Sequence, residues 1–349
     1  MTGSDLASMP LGQLEQWAEN NGIQKYRARQ LFRWFHAKGI YDYSRMTDLS
    51  RDFRRLLEEQ YPLSLPRIVE VRKASDGTHK FRFRLEDGLE IEGVWMPEER
   101  RRTLCVSTQV GCAMGCRFCA TASMGLVRNL KVSEIMGQLH AVSAFLSQKG
   151  MDRPVTNVVF IGMGEPLANM ERVATAVGIM LHPLGAGLSR RHITVSTAGL
   201  VPAMPKLMER VPVKLAVSLN AANDEIRSSI MPINDKWPLV RLIECCRSLE
   251  LKHTDRITFE YVMLKGVNDS DDDAIRLAKL LSGISCKVNL IPYNESENSG
   301  FERPEPERVE RFQQLLIQRN FSVFVRKSRG AELAAGCGQL VTDGARNTG

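Results

Sequence analysis

Three thiols fall within eight residues at Cys112, Cys116 and Cys119, in the run Cys112-Ala113-Met114-Gly115-Cys116-Arg117-Phe118-Cys119. Thiolates are soft ligands that suit iron–sulfur clusters, zinc or Cu(I). Glycines at 111 and 115 let the backbone curl around a small object. Three ligands with no fourth nearby leave one metal position open, and an open position means chemistry rather than scaffolding. A structural zinc loop with a distant fourth ligand can be read from the same residues, although paired C-x2-C knuckles are the usual zinc signature.

Such a loop needs a scaffold, and the chain around it alternates strand and helix patterns. Apolar, β-rich runs occur at Leu104–Ser107, Asn157–Ile161, His192–Ser196, Val213–Ser218, Ile257–Met263 and Lys287–Ile291. Amphipathic segments lie near Val132–Gln148, Met170–Leu181, Pro202–Arg210, Leu239–Leu249 and Asp271–Leu281, with another at Glu305–Arg319. Six such units predict an α/β fold with a parallel sheet and right-handed crossovers. Six are too few to close an eight-stranded barrel, so an open, partial βα barrel is expected, ending in a final strand at Ser322–Arg326.

In such a sheet the site lies at the C-terminal ends of the strands. The first run ends before Cys112–Cys119, and the second enters Gly162-Met163-Gly164-Glu165-Pro166, where a carboxylate is expected to point at the ligand. The others end in Ser196-Thr197, Ser218-Leu219-Asn220 and Pro292-Tyr293-Asn294. Singly, each polar residue reads as a helix cap. Together, beside a thiol-rich loop, they make a coherent site.

Residues from about Leu11 to Tyr61 read as a small helical unit, with a stop signal at Asn21-Gly22 and Ser50 as the cap of a third helix. Tyr26, Leu31, Phe32, Trp34 and Phe35 form an apolar stripe read as core, and the interleaved Arg27, Arg29 and Arg33 are phosphate-contact candidates. From Arg67 to Met96 the period switches to two, with a hairpin turn at Asp87-Gly88. Glu92 on the returning strand reads as a solvent-facing side chain. The expected division is a helical accessory domain at 1–64, a β-hairpin linker at 65–97, the barrel at 98–330 and a tail at 331–349.

The 349 residues, 43% hydrophobic and 25% charged, describe an ordinary globular protein. No apolar run reaches membrane-spanning length and Met1–Pro10 lacks a signal-peptide pattern, so a cytoplasmic location is expected. Eight cysteines without an export signal point to reduced thiols, metal ligands or catalysis. Cys245, Cys246 and Cys286 read as plain core or surface thiols. The net charge of +7 suits a polyanion such as RNA, with basic clusters at Arg51/Arg54/Arg55, Arg100–Arg102, Arg190/Arg191 and Arg326/Lys327/Arg329.

The C-x3-C-x2-C spacing resembles the radical S-adenosylmethionine (SAM) superfamily, in which three cysteines hold a 4Fe–4S cluster and SAM chelates the fourth iron. Ser107-Thr108-Gln109-Val110-Gly111-Cys112, Phe118-Cys119-Ala120-Thr121 and Arg128-Asn129-Leu130 resemble, more narrowly, the RlmN/Cfr family of RNA adenosine methyltransferases. So do Gly162-Met163-Gly164-Glu165-Pro166, Met231-Pro232-Ile233-Asn234 and Cys337-Gly338-Gln339-Leu340. Tyr26-Arg27-Ala28-Arg29-Gln30-Leu31-Phe32-Arg33-Trp34 is similar to the helical domain of the RlmN branch.

The resemblance implies methylation at C2 of an adenine in 23S rRNA and, for the RlmN branch, in tRNA. The Cfr branch acts at C8; the helical N-terminus and the Gly-Glu-Pro turn favour C2. Because C2 is an electron-poor amidine carbon, it cannot attack a methyl sulfonium, whereas a carbon radical can add to it. The family uses two SAM molecules per turnover. Cys337 matches the cysteine that is first methylated. A 5′-deoxyadenosyl radical, generated at the cluster on Cys112, Cys116 and Cys119, takes hydrogen from that S-methyl. Cys105 matches the resolving cysteine, which leaves a transient disulfide with Cys337, and Glu92 matches the proton acceptor. Gly164, Glu165, Ser196, Ser218, Leu219, Asn220 and Asn294 match SAM-contacting positions. An electron donor such as flavodoxin or ferredoxin and a thiol reductant are implied, and no membrane.

Three residues depart from the family pattern: Asn220 stands for a histidine, Glu332 for an aspartate and Gly336 for an alanine. Gly336 is expected to loosen the segment carrying Cys337. Two other readings use the same residues. A radical SAM enzyme acting on a protein or small molecule leaves Cys105, Cys337 and the basic helical unit without a role. A zinc-bound RNA-binding module leaves the open metal position without one.

Overall fold

Alternation within each strand decides which residues face the helices and which face the barrel interior. The computed structural model describes residues 5–252, 254–295, 299–326 and 328–342. Twelve strands are present among them: β1 (Arg67–Lys73), β2 (His79–Arg84), β3 (Glu90–Pro97), β4 (Arg102–Cys105), β5 (Gln109–Gly111), β6 (Leu126–Asn129), β7 (Asn157–Phe160), β8 (Ile193–Thr197), β9 (Lys214–Ser218), β10 (Ile257–Met263), β11 (Cys286–Pro292) and β12 (Val323–Val325). Ten form one sheet in the order β1-β2-β3-β4-β7-β8-β9-β10-β11-β12. From β4 onward every pairing is parallel. The sheet ends at β12 without closing, so the expected open barrel is the observed one.

Strand β10 shows the logic. Ile257, Phe259, Tyr261 and Met263 are fully buried, while Thr258, Glu260 and Val262 line cavities inside the barrel. Helices Val132–Ser147, Met170–Leu181, Ala203–Arg210, Leu239–Ser248, Asp271–Leu281 and Pro306–Ile317 occupy the crossovers, each within a few residues of its expected span. Short helices at Asp224–Ile230 and Ile233–Lys236 had no counterpart in the sequence reading.

The ribbon has three strands, not two, and it does not end at the barrel. Strand β3 pairs with β2 on one side and β4 on the other, both antiparallel, so the ribbon runs into the barrel sheet without a break. A second, two-stranded sheet of β5 and β6 clasps the base of the cysteine loop. There Gly111 adopts φ 72°, and a Cβ would lie 1.8 Å from the Gly125 carbonyl oxygen, so only glycine fits.

The N-terminal unit comprises Leu11–Asn20, Lys25–Phe32 with a π-turn at Arg33–Ala37, and Arg51–Gln60. Ser50 Oγ caps the last helix by accepting from Phe53 N. Leu31, Phe32, Trp34 and Phe35 are core as expected, but Tyr26 is 51% exposed. Arg27 donates to Gln30 and Asp48, and Arg29 pairs with Glu15, so two of the three phosphate candidates are already engaged within the protein. Lys327 and the tail beyond 342 lie outside the described residues. No helix among the described residues is long and apolar enough to cross a membrane.

Candidate active site

Two adjoining cavities lie at the C-terminal ends of the strands. Cys112, Cys116 and Cys119 open onto the first, with Gly164, Glu165, Ser196, Ser218 and Asn220 on its walls. Cys105 and Asn294 line the second, and Cys119 and Cys337 face both. Glu92 and Leu219 line neither.

Burial pushes the Cys112 thiol up to about 11. The Cys116 thiol is pushed higher still, by burial first and then by the neighbouring Cys119 and Cys112. Cys112 and Cys116, so buried, are poor free thiolates, and a bound cation offsets that penalty. Among the described residues, no three His, Cys, Asp or Glu side chains converge on a single ion. A cubane cluster seats each thiolate on a different iron, so three thiols set around one cavity fit it.

The walls behave differently from expectation at three points. Glu165 does not aim its carboxylate at the cavity centre: Oε1 accepts from Leu167 N at 2.9 Å and Oε2 from Ala198 N at 2.7 Å. It therefore fixes the β7 and β8 strand ends against each other. Burial raises it from 4.5 to about 6. A carboxyl with a raised folded-state value loses stability as pH rises from about 4.5 to about 6, here by about 2 kcal/mol. In Glu165→Gln that loss should vanish, which denaturation at pH 4.5 and pH 7 would measure. Equal pH dependence in both proteins would refute the assignment.

Asn220 sits at φ 59°, a left-handed conformation that asparagine tolerates. Its Oδ1 accepts from Val262 N at 2.8 Å, tying the ends of β9 and β10 together. The substitution for histidine is thus absorbed structurally. Leu219 is fully buried; its N–H goes to the Glu260 carbonyl and its carbonyl to Arg227 Nε. Ser196 Oγ donates to Glu260 Oε2 at 2.8 Å, which brings into the site a buried glutamate that the sequence reading passed over.

Arg227 was missed as well. Its side chain is completely buried and donates to the carbonyls of Leu219, Ala198 and Ser218 and to Asn234 Oδ1. Burial lowers its value to about 10, and its charge favours the Cys116 thiolate. A helix arginine normally reads as a solvated face, although its partner Asn234 belongs to a motif already singled out. Arg227→Met should leave those acceptors unpaired and destabilise the protein by about 3 kcal/mol or more. Urea midpoints would test this, and Arg227→Lys should not rescue, since an ammonium cannot span the fork.

The second cavity joins the chain's distant cysteines. Cys105, at the end of β4, is buried, and its thiol is driven far above the usual range, first by burial and then by the Cys337 sulfur. Cys337 presents surface to the cavities while protein encloses it, and burial raises its thiol to about 11. All eight cysteines are free thiols, and Cys245, Cys246 and Cys286 are buried away from the site.

Contrary to a solvent-facing strand glutamate, Glu92 is buried. Oε2 meets Lys80 Nζ at 2.9 Å and accepts from Val341 N at 3.0 Å. Burial raises its value and Lys80 opposes the rise. Its neighbours in the chain or along the tail, Val94 and Leu340, line the second cavity, whereas Glu92 does not. Gly336 does not loosen the tail either. It is buried with its N–H on Gln339 Oε1, and a Cβ would lie 2.4 Å from Asn294 Nδ2. The Glu332 carboxylate accepts from Ser75 N, where the longer side chain reaches the β1–β2 turn.

An open βα barrel with three loop cysteines and a ligand cavity across its strand ends is the architecture of radical SAM enzymes. The radical SAM superfamily model matches residues 106–278, and the model of the ribosomal RNA large subunit methyltransferase N-terminal domain matches residues 4–62. The dual-specificity RNA methyltransferase RlmN of Anaeromyxobacter dehalogenans (strain 2CP-C) is 51% identical over 344 residues, 97% of this chain and 92% of the relative. That of Geobacter sulfurreducens is 49% identical over 96% of this chain and 91% of the relative. A crystal structure of a radical SAM methyltransferase from Sphaerobacter thermophilus superposes with a TM-score of 0.90 at 44% identity, covering 96% of this chain and 98% of the other. The chain belongs to the RlmN family of radical SAM RNA methyltransferases, and with that family go a 4Fe–4S cluster and SAM.

Proposed function

We propose that this chain methylates C2 of an adenosine in 23S rRNA and in tRNA, with Cys337 as methyl carrier and Cys105 as resolving thiol. The observation that supports it is the meeting of these two cysteines, far apart in sequence, at one cavity beside Cys119. The dual specificity in the relatives' names supports a second RNA class besides rRNA.

Cys112, Cys116 and Cys119 would hold the cluster, with Gly164, Glu165, Ser196, Ser218, Leu219, Asn220 and Asn294 around SAM. When bound, SAM supplies the methyl group and, with an electron from the cluster, a 5′-deoxyadenosyl radical. Cys337 loses its proton, takes the methyl group on sulfur and later holds the derived methylene carbon against C2. Glu92 receives the C2 proton. Once the adduct has given its unpaired electron to a one-electron acceptor such as the oxidised cluster, the Cys105 thiolate attacks the Cys337 sulfur. The sulfur–carbon bond breaks with its electron pair left on the carbon, that carbon takes up a proton to become the methyl group, and the methylated base leaves. The resulting disulfide is reset by a thiol reductant, and flavodoxin or ferredoxin supplies the cluster's electron. Residues 1–64 serve as an RNA-binding accessory unit, 65–97 as a ribbon linking it to the 98–330 core, and 331–349 as the methyl-bearing tail. The setting is the reducing cytoplasm.

An anaerobic assay on rRNA fragments and bulk tRNA, followed by digestion and mass spectrometry of the methyladenosine isomer, tests this. 2-Methyladenosine is expected. Formation of 8-methyladenosine alone would move the activity to C8, and SAM cleavage without any RNA methylation would point to another substrate.

A further inference from the structure

A third and larger cavity, about 600 Å³, lies beneath the two already described. Its walls are the first inward-facing residues of the parallel strands, among them Thr103, Asn157, Thr194 and Thr258. It therefore opens at the N-terminal mouth of the barrel, opposite the cysteine loop. In closed barrels that interior is packed with side chains; this unclosed sheet leaves it hollow.

Charge distinguishes this hollow. Lys214 and Lys287 rise from β9 and β11, Arg326 follows β12, and Arg100, Arg101, Arg102, Arg153 and Arg191 complete the wall. The acidic residues in its lining are Glu98 and Glu260, and Asp255 lies near Lys214. None of the eight cations forms an ion pair with a described residue, and Arg102 alone donates elsewhere, to the Asp152 carbonyl. Lys214 and Lys287 are held below the usual lysine range, chiefly by burial and then by neighbouring cations. Members of three basic clusters scattered along the sequence, Arg100–Arg102, Arg191 and Arg326, thus converge on one basin. Like charges gathered without partners are unfavourable unless a polyanion neutralises them.

The basin also adjoins the chemistry. It shares Ile161 and Glu260 with both upper cavities, and Arg326 with the cavity of Cys105 and Cys337. SAM carries a sulfonium and an ammonium and gains nothing from eight cations. A bare adenine is neutral. A phosphodiester backbone matches both the charge and the path.

We propose that this basic basin seats the RNA phosphates flanking the target nucleotide, so that RNA enters at the N-terminal mouth of the barrel and its base reaches up past Arg326. The inference rests on the RNA-methylating reading above and adds the route. The test uses reconstituted holoenzyme, a short RNA hairpin substrate, and Lys214→Gln/Lys287→Gln. Binding should weaken about tenfold or more, and the slope of log Kd against log salt should fall by about 0.7 per lysine removed. Lys214→Arg/Lys287→Arg should restore both. S-methylation of Cys337 without RNA, followed by mass spectrometry, should be unchanged, which separates a docking defect from misfolding. Inorganic phosphate at equal phosphate concentration should compete poorly; full competition would replace RNA by a free anion as occupant. Unchanged affinity and slope in the glutamine variant, while wild type methylates the hairpin, overturn the proposal alone. Wild type that methylates Cys337 but no RNA overturns the functional reading beneath it.

Discussion

Cys105→Ala enzyme is expected to stop after one encounter, covalently joined to its RNA. The proposed order of events dictates this: in it the methylene carbon on Cys337 bonds to C2 before any thiol attacks the Cys337 sulfur. With no resolving thiol the sulfur–carbon bond persists as a thioether linking protein and base. The resting structure shows why no other cysteine substitutes. Cys105 and Cys337 line the same cavity, whereas Cys245, Cys246 and Cys286 are buried elsewhere. A shifted band on a denaturing gel, sensitive to ribonuclease and resistant to thiol reductant, is the expected readout. A variant that turns over freely would remove Cys105 from the mechanism.

Cys337→Ala should lower RNA methylation by on the order of 10³-fold or more, because the methyl group has no carrier. Cleavage of SAM should survive, since Cys112, Cys116 and Cys119 and the walls of the first cavity remain intact. Separate measurement of 5′-deoxyadenosine and methyladenosine therefore splits the two halves of the reaction. Methyl transfer retained at wild-type rate would refute the carrier role. Loss of both products would indicate instead that Cys337 supports the SAM cavity, which it also lines.

The sequence revealed the scaffold well because its periods are strong. Apolar runs bounded by amphipathic helices marked all seven parallel strands, and spacing alone marked the cysteine triad. What the sequence could not reveal depends on approach in three dimensions. The Glu165 carboxylate could be placed at a strand end, but nothing local says it turns back onto Leu167 and Ala198. Glu92 reads as exposed because its cover is Lys80, a diagonal neighbour across β2 and β3, together with a tail segment distant in sequence. Arg227 sits on a helix of seven residues, too short for a periodic signal, and its partners are strand-end carbonyls that any sequence supplies. Family resemblance, not spacing, named Cys105 and Cys337.

The tail that bears Cys337 is fastened less to the barrel than to the ribbon beside it. Gly330 N meets Asp76, Lys80 meets the Ala334 carbonyl, Glu332 meets Ser75, and Val341 and Thr342 meet Glu92 and Glu90. To the cysteine loop it is joined through Ala120 and Thr121. Ribbon and tail, at opposite ends of the chain, therefore constitute one exchange unit. A chimera that imports a relative's tail onto this barrel should position its cysteine only if the segment from Ser75 to Glu92 travels with it.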